Sequence, residues 1–119
     1  CMSNLRSATL GIYEKGTGRG VVCDIREFPY TLIWSKKGMP KFVCIEPWQS
    51  LPSMEGGSRK WEEKAHAAIL EPGEAWSTTL STSFVLPGLV ITLKMEAGND
   101  ARIQIIITTN KNAPSLHTK

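Results

Sequence analysis

The stretch KFVCIEPWQSLPS, residues 41–53, places one carboxylate where it could do chemistry. In a strand, Phe42, Cys44 and Glu46 project from the same face, so Glu46 would share that face with two residues that are usually buried. Pro47 has no backbone donor and a fixed φ, which predicts that strand pairing ends at Glu46. A carboxylate held in a cleft at a strand end is a candidate general base. The same position also suits an edge residue that reaches water.

Trp48 is the second candidate residue. Its indole, two residues after Glu46, has the kind of aromatic surface that packs against the apolar face of a sugar ring. A tryptophan beside a strand end also suits a purely structural place in the core. The sequence leaves both interpretations open.

Other ionisable residues indicate structure rather than catalysis. His66 and His117 are far apart and have no partner at metal-ligand spacing, so we assign neither of them a role. The pair Glu62 and Glu63 lies in a charge-rich segment, which is typical of a solvated face. No metal site is predicted from these residues.

Two further features have simple structural explanations. The segment KGTGRG lies between two strand patterns and lacks the Lys-Ser/Thr ending of a phosphate loop, which predicts a surface hairpin turn. Asp24 and Arg26 fall on the same face of one strand pattern, which predicts a structural ion pair.

The elements that must position these residues are strands. Period-two patterns run through RGVVCDIREF, YTLIWSKKG, AWSTTLSTSFV, LVITLKME and ARIQIIITT, with turn-forming residues between them. The last two patterns predict a hairpin around residues 97–100. We therefore predict an all-β, antiparallel β-sandwich. Its predicted core residues are Trp34, Phe42, Cys44, Trp76, Leu80 and Phe84.

At most one short helix is expected. Only SRKWEEKAHAAIL, residues 58–70, has a helical pattern, because Ser58 can cap it and Trp61, Ala65 and Ala68 fall on one side. A loop is the alternative for this segment.

Composition favours an ordinary globular chain with a core. The 14 basic and 11 acidic residues are scattered rather than gathered into a tract that could follow a phosphate backbone, so no nucleic-acid partner is predicted. The apolar runs are too short for a membrane helix, so no membrane partner is predicted either. Cys1, Cys23 and Cys44 have no metal-site spacing, and reduced thiols of this kind indicate a cytoplasmic protein.

The residue identities and the order of several segments add a resemblance to a known family. They resemble the C-terminal part of the galactose mutarotase-like, or aldose 1-epimerase-like, family over roughly residues 8–85. The segments that carry the resemblance are TGRG (17–20), FPY (28–30), WSK (34–36), FVCIEPW (42–48) and LEPGE (70–74).

This resemblance implies a fold and an activity. Proteins of the family fold as a large antiparallel β-supersandwich, bind a hexose on one sheet and interconvert its α and β anomers without a metal or cofactor. The residue at the place of Glu46 is the family's base, and a histidine acid protonates the ring oxygen. That histidine comes from the earlier half of the family's longer chain, which has no match here, so His66 is not promoted to this role.

Two function hypotheses follow, and one domain division. The first is an enzyme, the base-bearing portion of an aldose 1-epimerase-like isomerase; the second is a non-catalytic carbohydrate-binding or structural β-module. The expected partners are a hexose or related sugar and, because a partial sandwich leaves apolar surface open, either a second copy or a missing N-terminal half. Residues 1–85 are assigned to the family-like portion. Residues 86–119 are assigned to an extra hairpin and tail of the same domain.

Overall fold

The computed structural model describes residues 1–38, 42–64, 66–97 and 102–109. Within these residues the chain is all-β and contains no helix, and every strand pairing is antiparallel, which confirms the predicted fold class. The strands are β1 (Met2–Ser3), β2 (Thr9–Tyr13), β3 (Gly20–Asp24), β4 (Tyr30–Trp34), β5 (Cys44–Trp48), β6 (Thr78–Leu86), β7 (Leu89–Ala97) and β8 (Arg102–Thr109).

The strands form two sheets, each in its own compact unit. The first unit contains residues 1–8 and 25–76 and carries a three-stranded sheet in the order β1-β4-β5. The second unit contains residues 9–24 and 77–119 and carries a five-stranded sheet in the order β2-β3-β6-β7-β8. The division at residue 85 remains a prediction, and β7 and β8 continue the sheet to which β6 belongs.

Short turns set the register of the five-stranded sheet. Leu86 pairs with Leu89 across Pro87-Gly88, where Gly88 takes the positive φ of 75° that the turn requires. β7 pairs with β8 from Leu89 opposite Thr109 to Glu96 opposite Arg102, which confirms the predicted hairpin. The residues that connect these two strands, 98–101, lie outside the described part of the chain.

The KGTGRG segment forms the turn between β2 and β3, as predicted. The Glu14 amide donates to the Arg19 carbonyl at 2.9 Å, and Gly16 and Gly18 have φ values of 82° and 70°. Left-handed backbone is accessible to glycine at little steric cost, which explains both residues. The segment is a hairpin turn, and its geometry supports no phosphate loop.

The predicted core is wrong for most of its members. Trp34, Phe42, Trp76 and Phe84 are exposed, with between 39% and 47% of their surface accessible, and Cys44 and Leu80 are only half-buried. Among the described residues, the buried ones are Cys23, Ile25 and Thr31. Period-two patterning identifies which face of a strand is apolar, but burial also needs a second layer over that face, which the pattern of one strand does not specify.

The segment with a helical pattern folds as separate turns. The Ser58 hydroxyl accepts from the Lys60 amide at 3.2 Å, and the Lys64 amide donates to the Trp61 carbonyl at 3.1 Å, but no continuous helix follows in the described residues. Trp61, on the side of the predicted helix that was expected to pack, is 75% exposed. Short helices are marginal without such packing. Ala65, also on the predicted packing side, lies outside the described residues.

Candidate functional site

Glu46 lies within the edge strand β5 of the three-stranded sheet. Its direct partner across the sheet is Leu32 of β4, and the residue is half-buried. β-branched and aromatic residues in both strands favour this pairing. The carboxylate therefore projects from a paired strand and not from a loop.

Three aromatic residues share the sheet face of Glu46. Trp48 lies two residues along β5 and pairs with Tyr30, while Trp34 pairs with Cys44. Directly paired residues in an antiparallel sheet project from the same face, so Tyr30 and Trp34 are the two diagonal neighbours of Glu46. The register thus places one carboxylate on the same sheet face as three aromatic residues. We call Tyr30, Trp34, Glu46 and Trp48 the β5 site.

One side of the β5 site is open. Trp34 is 47% exposed, and its ring contacts that of Phe42 with a centroid distance of 5.6 Å and an interplanar angle of 52°. Trp48 is half-buried. An exposed aromatic surface next to a carboxylate can both stack against an apolar ring face and accept hydrogen bonds from hydroxyl groups.

The predicted end of pairing at Glu46 is wrong. β5 continues through Pro47, which pairs with Thr31, to Trp48. The proline is tolerated because β5 is at an edge of its sheet, where one side of the strand needs no ladder donor. Beyond Trp48, the Gln49 amide group donates to the Glu27 carbonyl at 2.7 Å and ties the strand end to the segment before β4.

His66 contacts the β5 site through Tyr30. The two ring centroids are 5.5 Å apart in an edge-to-face arrangement at 68°, and His66 has a positive φ of 62°. Positive φ is uncommon for a residue other than glycine. Sequence reasoning assigned His66 no role because it has no partner at metal-ligand spacing and because the family's acid histidine comes from the earlier half of a longer chain. The long-range contact is visible only in the folded chain. His117 lies outside the described residues.

Glu62 and Glu63 are exposed, as a solvated face requires. Glu63 accepts from Lys60 at 2.9 Å and from the Ser58 hydroxyl at 2.7 Å. These two hydrogen bonds, that from Lys60 foremost, lower the pKa of the Glu63 carboxyl. Glu63 is thus an exposed carboxylate bonded to its neighbours in the chain, which fits the predicted solvated face.

Sequence reasoning missed an open groove in the first unit. Its volume is about 430 Å³, and Arg6, Arg26, Leu5 and Phe28 are among the residues that line it. Residues 4–8 and 25–29 meet because the Ile25 amide donates to the Ala8 carbonyl at 2.9 Å.

The ion pair predicted between Asp24 and Arg26 stays a prediction.

The described residues contain no group of three or more His, Cys, Asp or Glu side chains placed to hold a metal ion. The absence of a cofactor remains an expectation from the resemblance.

The cysteines differ in burial. Cys23 is buried, Cys44 half-buried and Cys1 exposed, and all three are free thiols. No helix in the described residues is long and apolar enough to cross a membrane.

Comparison with known proteins gives a partial similarity. The chain is 29% identical over 58 residues to the chromosomal and to the plasmid form of Protein LacX from Lactococcus lactis subsp. lactis. The matched segment covers 48% of this chain and 19% of each LacX protein, so the chain spans about a fifth of the length of the curated relatives it matches. No family model matches the chain. No solved structure matches it either.

Proposed function

We propose that this chain is the base-bearing portion of an aldose 1-epimerase-like isomerase that interconverts the α and β anomers of a hexose. The observation that carries the proposal is the β5 site, in which Glu46 lies among Tyr30, Trp34 and Trp48 on one sheet face. The 29% identity to the LacX proteins over 58 residues adds partial support to the proposal. The free thiols suit the reducing cytoplasm, where we place this activity.

The proposed reaction uses Glu46 as general base. Its carboxylate takes the proton from the anomeric hydroxyl while an acid protonates the ring oxygen, so the bond between the anomeric carbon and the ring oxygen breaks and an aldehyde forms. Rotation about the neighbouring carbon–carbon bond presents the other face of the carbonyl before the ring recloses, and both protons return. The sequence resemblance assigns the acid to a histidine supplied from outside this chain.

Trp48 is proposed to hold the sugar. Its half-buried ring, beside Glu46 on the same strand face, offers an aromatic surface to the apolar face of a pyranose. Trp34, which is 47% exposed on the same face, extends this surface. The hexose would lie over the aromatic rings with its anomeric hydroxyl toward the carboxylate.

The exposed aromatic face also favours a second candidate function, a carbohydrate-binding module without catalysis. Stacking on Trp48 and Trp34 needs neither the carboxylate of Glu46 nor an acid. The two functions differ in their dependence on Glu46, which a single experiment can measure.

The test compares two glutamate variants. The chain replaces the corresponding segment of a LacX protein, and polarimetry follows the mutarotation of freshly dissolved α-galactose and α-glucose. Glu46→Gln keeps the shape of the side chain and removes the base, so the rate should fall by roughly 10²–10⁴-fold. Glu62→Gln, at an exposed position outside the β5 site, should leave the rate unchanged.

Two other outcomes would redirect the assignment. Equal rates for the parent protein and Glu46→Gln, both above the uncatalysed background, would move the base to another residue. Hexose binding that Trp48→Ala weakens, without any rate above background, would support the binding module and reject the isomerase.

A further inference from the structure

One face of the five-stranded sheet is apolar at its β8 end. β8 places Ile103, Ile105 and Ile107 on this face, with 73%, 63% and 66% of their surface exposed. The pairing register adds Met95 of β7 opposite Ile103, and Phe84 of β6 in the row of Ile107, exposed at 41% and 40%. We call these five residues the β8 face.

The opposite side of β8 has a different character. Arg102, Gln104, Ile106 and Thr108 alternate with the three isoleucines and therefore project from the other face of the sheet, where Ile106 is half-buried. Three of these four residues are polar, so the two faces of the strand differ, and the isoleucines at 103, 105 and 107 are the exposed apolar ones among the described residues. Such a pattern is typical of a strand whose apolar face packs against another layer.

The β8 face is large for a single chain to expose. Its five side chains present roughly 600 Å², the upper end of the largest apolar patch on an ordinary monomer. The strand has little of the usual protection against association, because its one charged residue is Arg102 at the first position, and residues 103–109 contain no proline, no glycine and no charge. Met95 and Phe84 add no charge to the face.

We propose that two copies of this chain pack their β8 faces together in a weak, two-fold symmetric dimer. A face without charge or hydrogen-bonding side chains matches another uncharged apolar face, and a second copy supplies one with the same sheet twist. The contact would bury about 1,200 Å² in total, at the lower limit for a specific interface, so the dimer should be concentration-dependent. In a two-fold arrangement each residue of the patch meets the same patch of its partner. This proposal does not depend on the proposed function.

Sedimentation equilibrium over a wide range of chain concentration tests the dimer. The parent chain should pass from monomer to dimer as its concentration rises. Ile105→Lys places a charge at the centre of the β8 face and should weaken the dimer by at least 10-fold. Thr108→Lys adds the same charge to the same strand on the opposite face and should leave the association constant unchanged.

A second variant covers the case in which Ile105→Lys does not fold. Ile105→Thr keeps a β-branched side chain, which suits a strand, and removes part of the apolar contact, so it should weaken the dimer several-fold. Circular dichroism establishes that each variant keeps the parent's strand content.

Three results would overturn the proposal. The first is a parent chain that stays monomeric at every concentration. The second is an association that Ile105→Lys and Ile105→Thr leave intact, which would assign it to another surface. The third is a monomer whose β8 face becomes protected only when the remaining segment of a LacX-like chain is added, which would assign the face to that segment.

Discussion

Thr31 is the residue at which burial and polarity conflict. It lies in the central strand of the three-stranded sheet, between Met2 and Pro47, and is 0% exposed. Its hydroxyl oxygen Oγ1 has no hydrogen-bond partner among the described residues. A buried hydroxyl without a partner costs about 1–3 kcal/mol of desolvation.

Replacing this hydroxyl with a methyl group should therefore stabilise the fold. Thr31→Val keeps the shape of the side chain and is expected to raise the free energy of unfolding by about 1 kcal/mol, measured by urea denaturation at unchanged m-value. The matched control is Thr92→Val, because the Thr92 hydroxyl bonds to that of Ser83 at 2.8 Å. This control should lose about 1 kcal/mol. A stability loss in Thr31→Val as large as in the control would mean that the Thr31 hydroxyl has a partner.

At the scale of elements, the β2–β3 hairpin depends on a close backbone approach at Gly20. Gly20 pairs with Tyr13 on one side and Val85 on the other. A Cβ atom at Gly20 would lie 2.8 Å from the Ile12 carbonyl oxygen and against the ring of Tyr13. The carbonyl belongs to the neighbouring strand and cannot move without breaking the pairing.

Gly20→Ala should consequently destabilise the chain, although alanine in a strand ordinarily stabilises it relative to glycine. We expect a loss of about 1–3 kcal/mol, as for other overpacked sites, seen as a lower midpoint in thermal unfolding. Gly11→Ala is the control on the same hairpin, because its Cβ would meet the Tyr13 ring at 2.9 Å. Tyr13 is 58% exposed and can turn away. Equal losses for the two variants would contradict the backbone argument.

At the scale of the whole chain, large apolar side chains are exposed in both compact units. The tryptophans illustrate this, because Trp34, Trp61 and Trp76 are exposed at 47%, 75% and 43%, and Trp48 is half-buried. A 119-residue chain that completes its own core would bury most of its aromatic surface.

Tryptophan fluorescence should report this open surface. In the folded chain, acrylamide should quench most of the emission, and Trp48→Phe should remove the least accessible component. Trp61→Phe is the control, because it removes the most exposed indole and should lower the quenched fraction. Far-UV circular dichroism should show a spectrum dominated by strands in the same sample. Emission that is blue-shifted and resistant to acrylamide would contradict the exposed positions of the three indoles.

Local patterns predicted the strands well because side-chain alternation in a strand is set by the backbone itself. The strand patterns over residues 20–34 and 77–109 and the glycine turn between β2 and β3 were all readable in this way. The end of β5 could not be predicted in this way. A proline such as Pro47 is tolerated in a strand at a sheet edge, and the position of a strand in its sheet is not visible in a local pattern. That property belongs to the sheet and has no local signature.

The sequence by itself determined the apolar and polar faces of the strands and the carboxylate of Glu46 beside Cys44 and Trp48. Only the tertiary structure decided what these faces meet. Strand register brought Tyr30 and Trp34 diagonal to Glu46, and a long-range contact placed His66 on Tyr30. Tertiary structure also left the isoleucines of β8 uncovered. The physical reason is that alternation is a property of one strand, whereas register and burial arise from pairing and packing between segments distant in sequence.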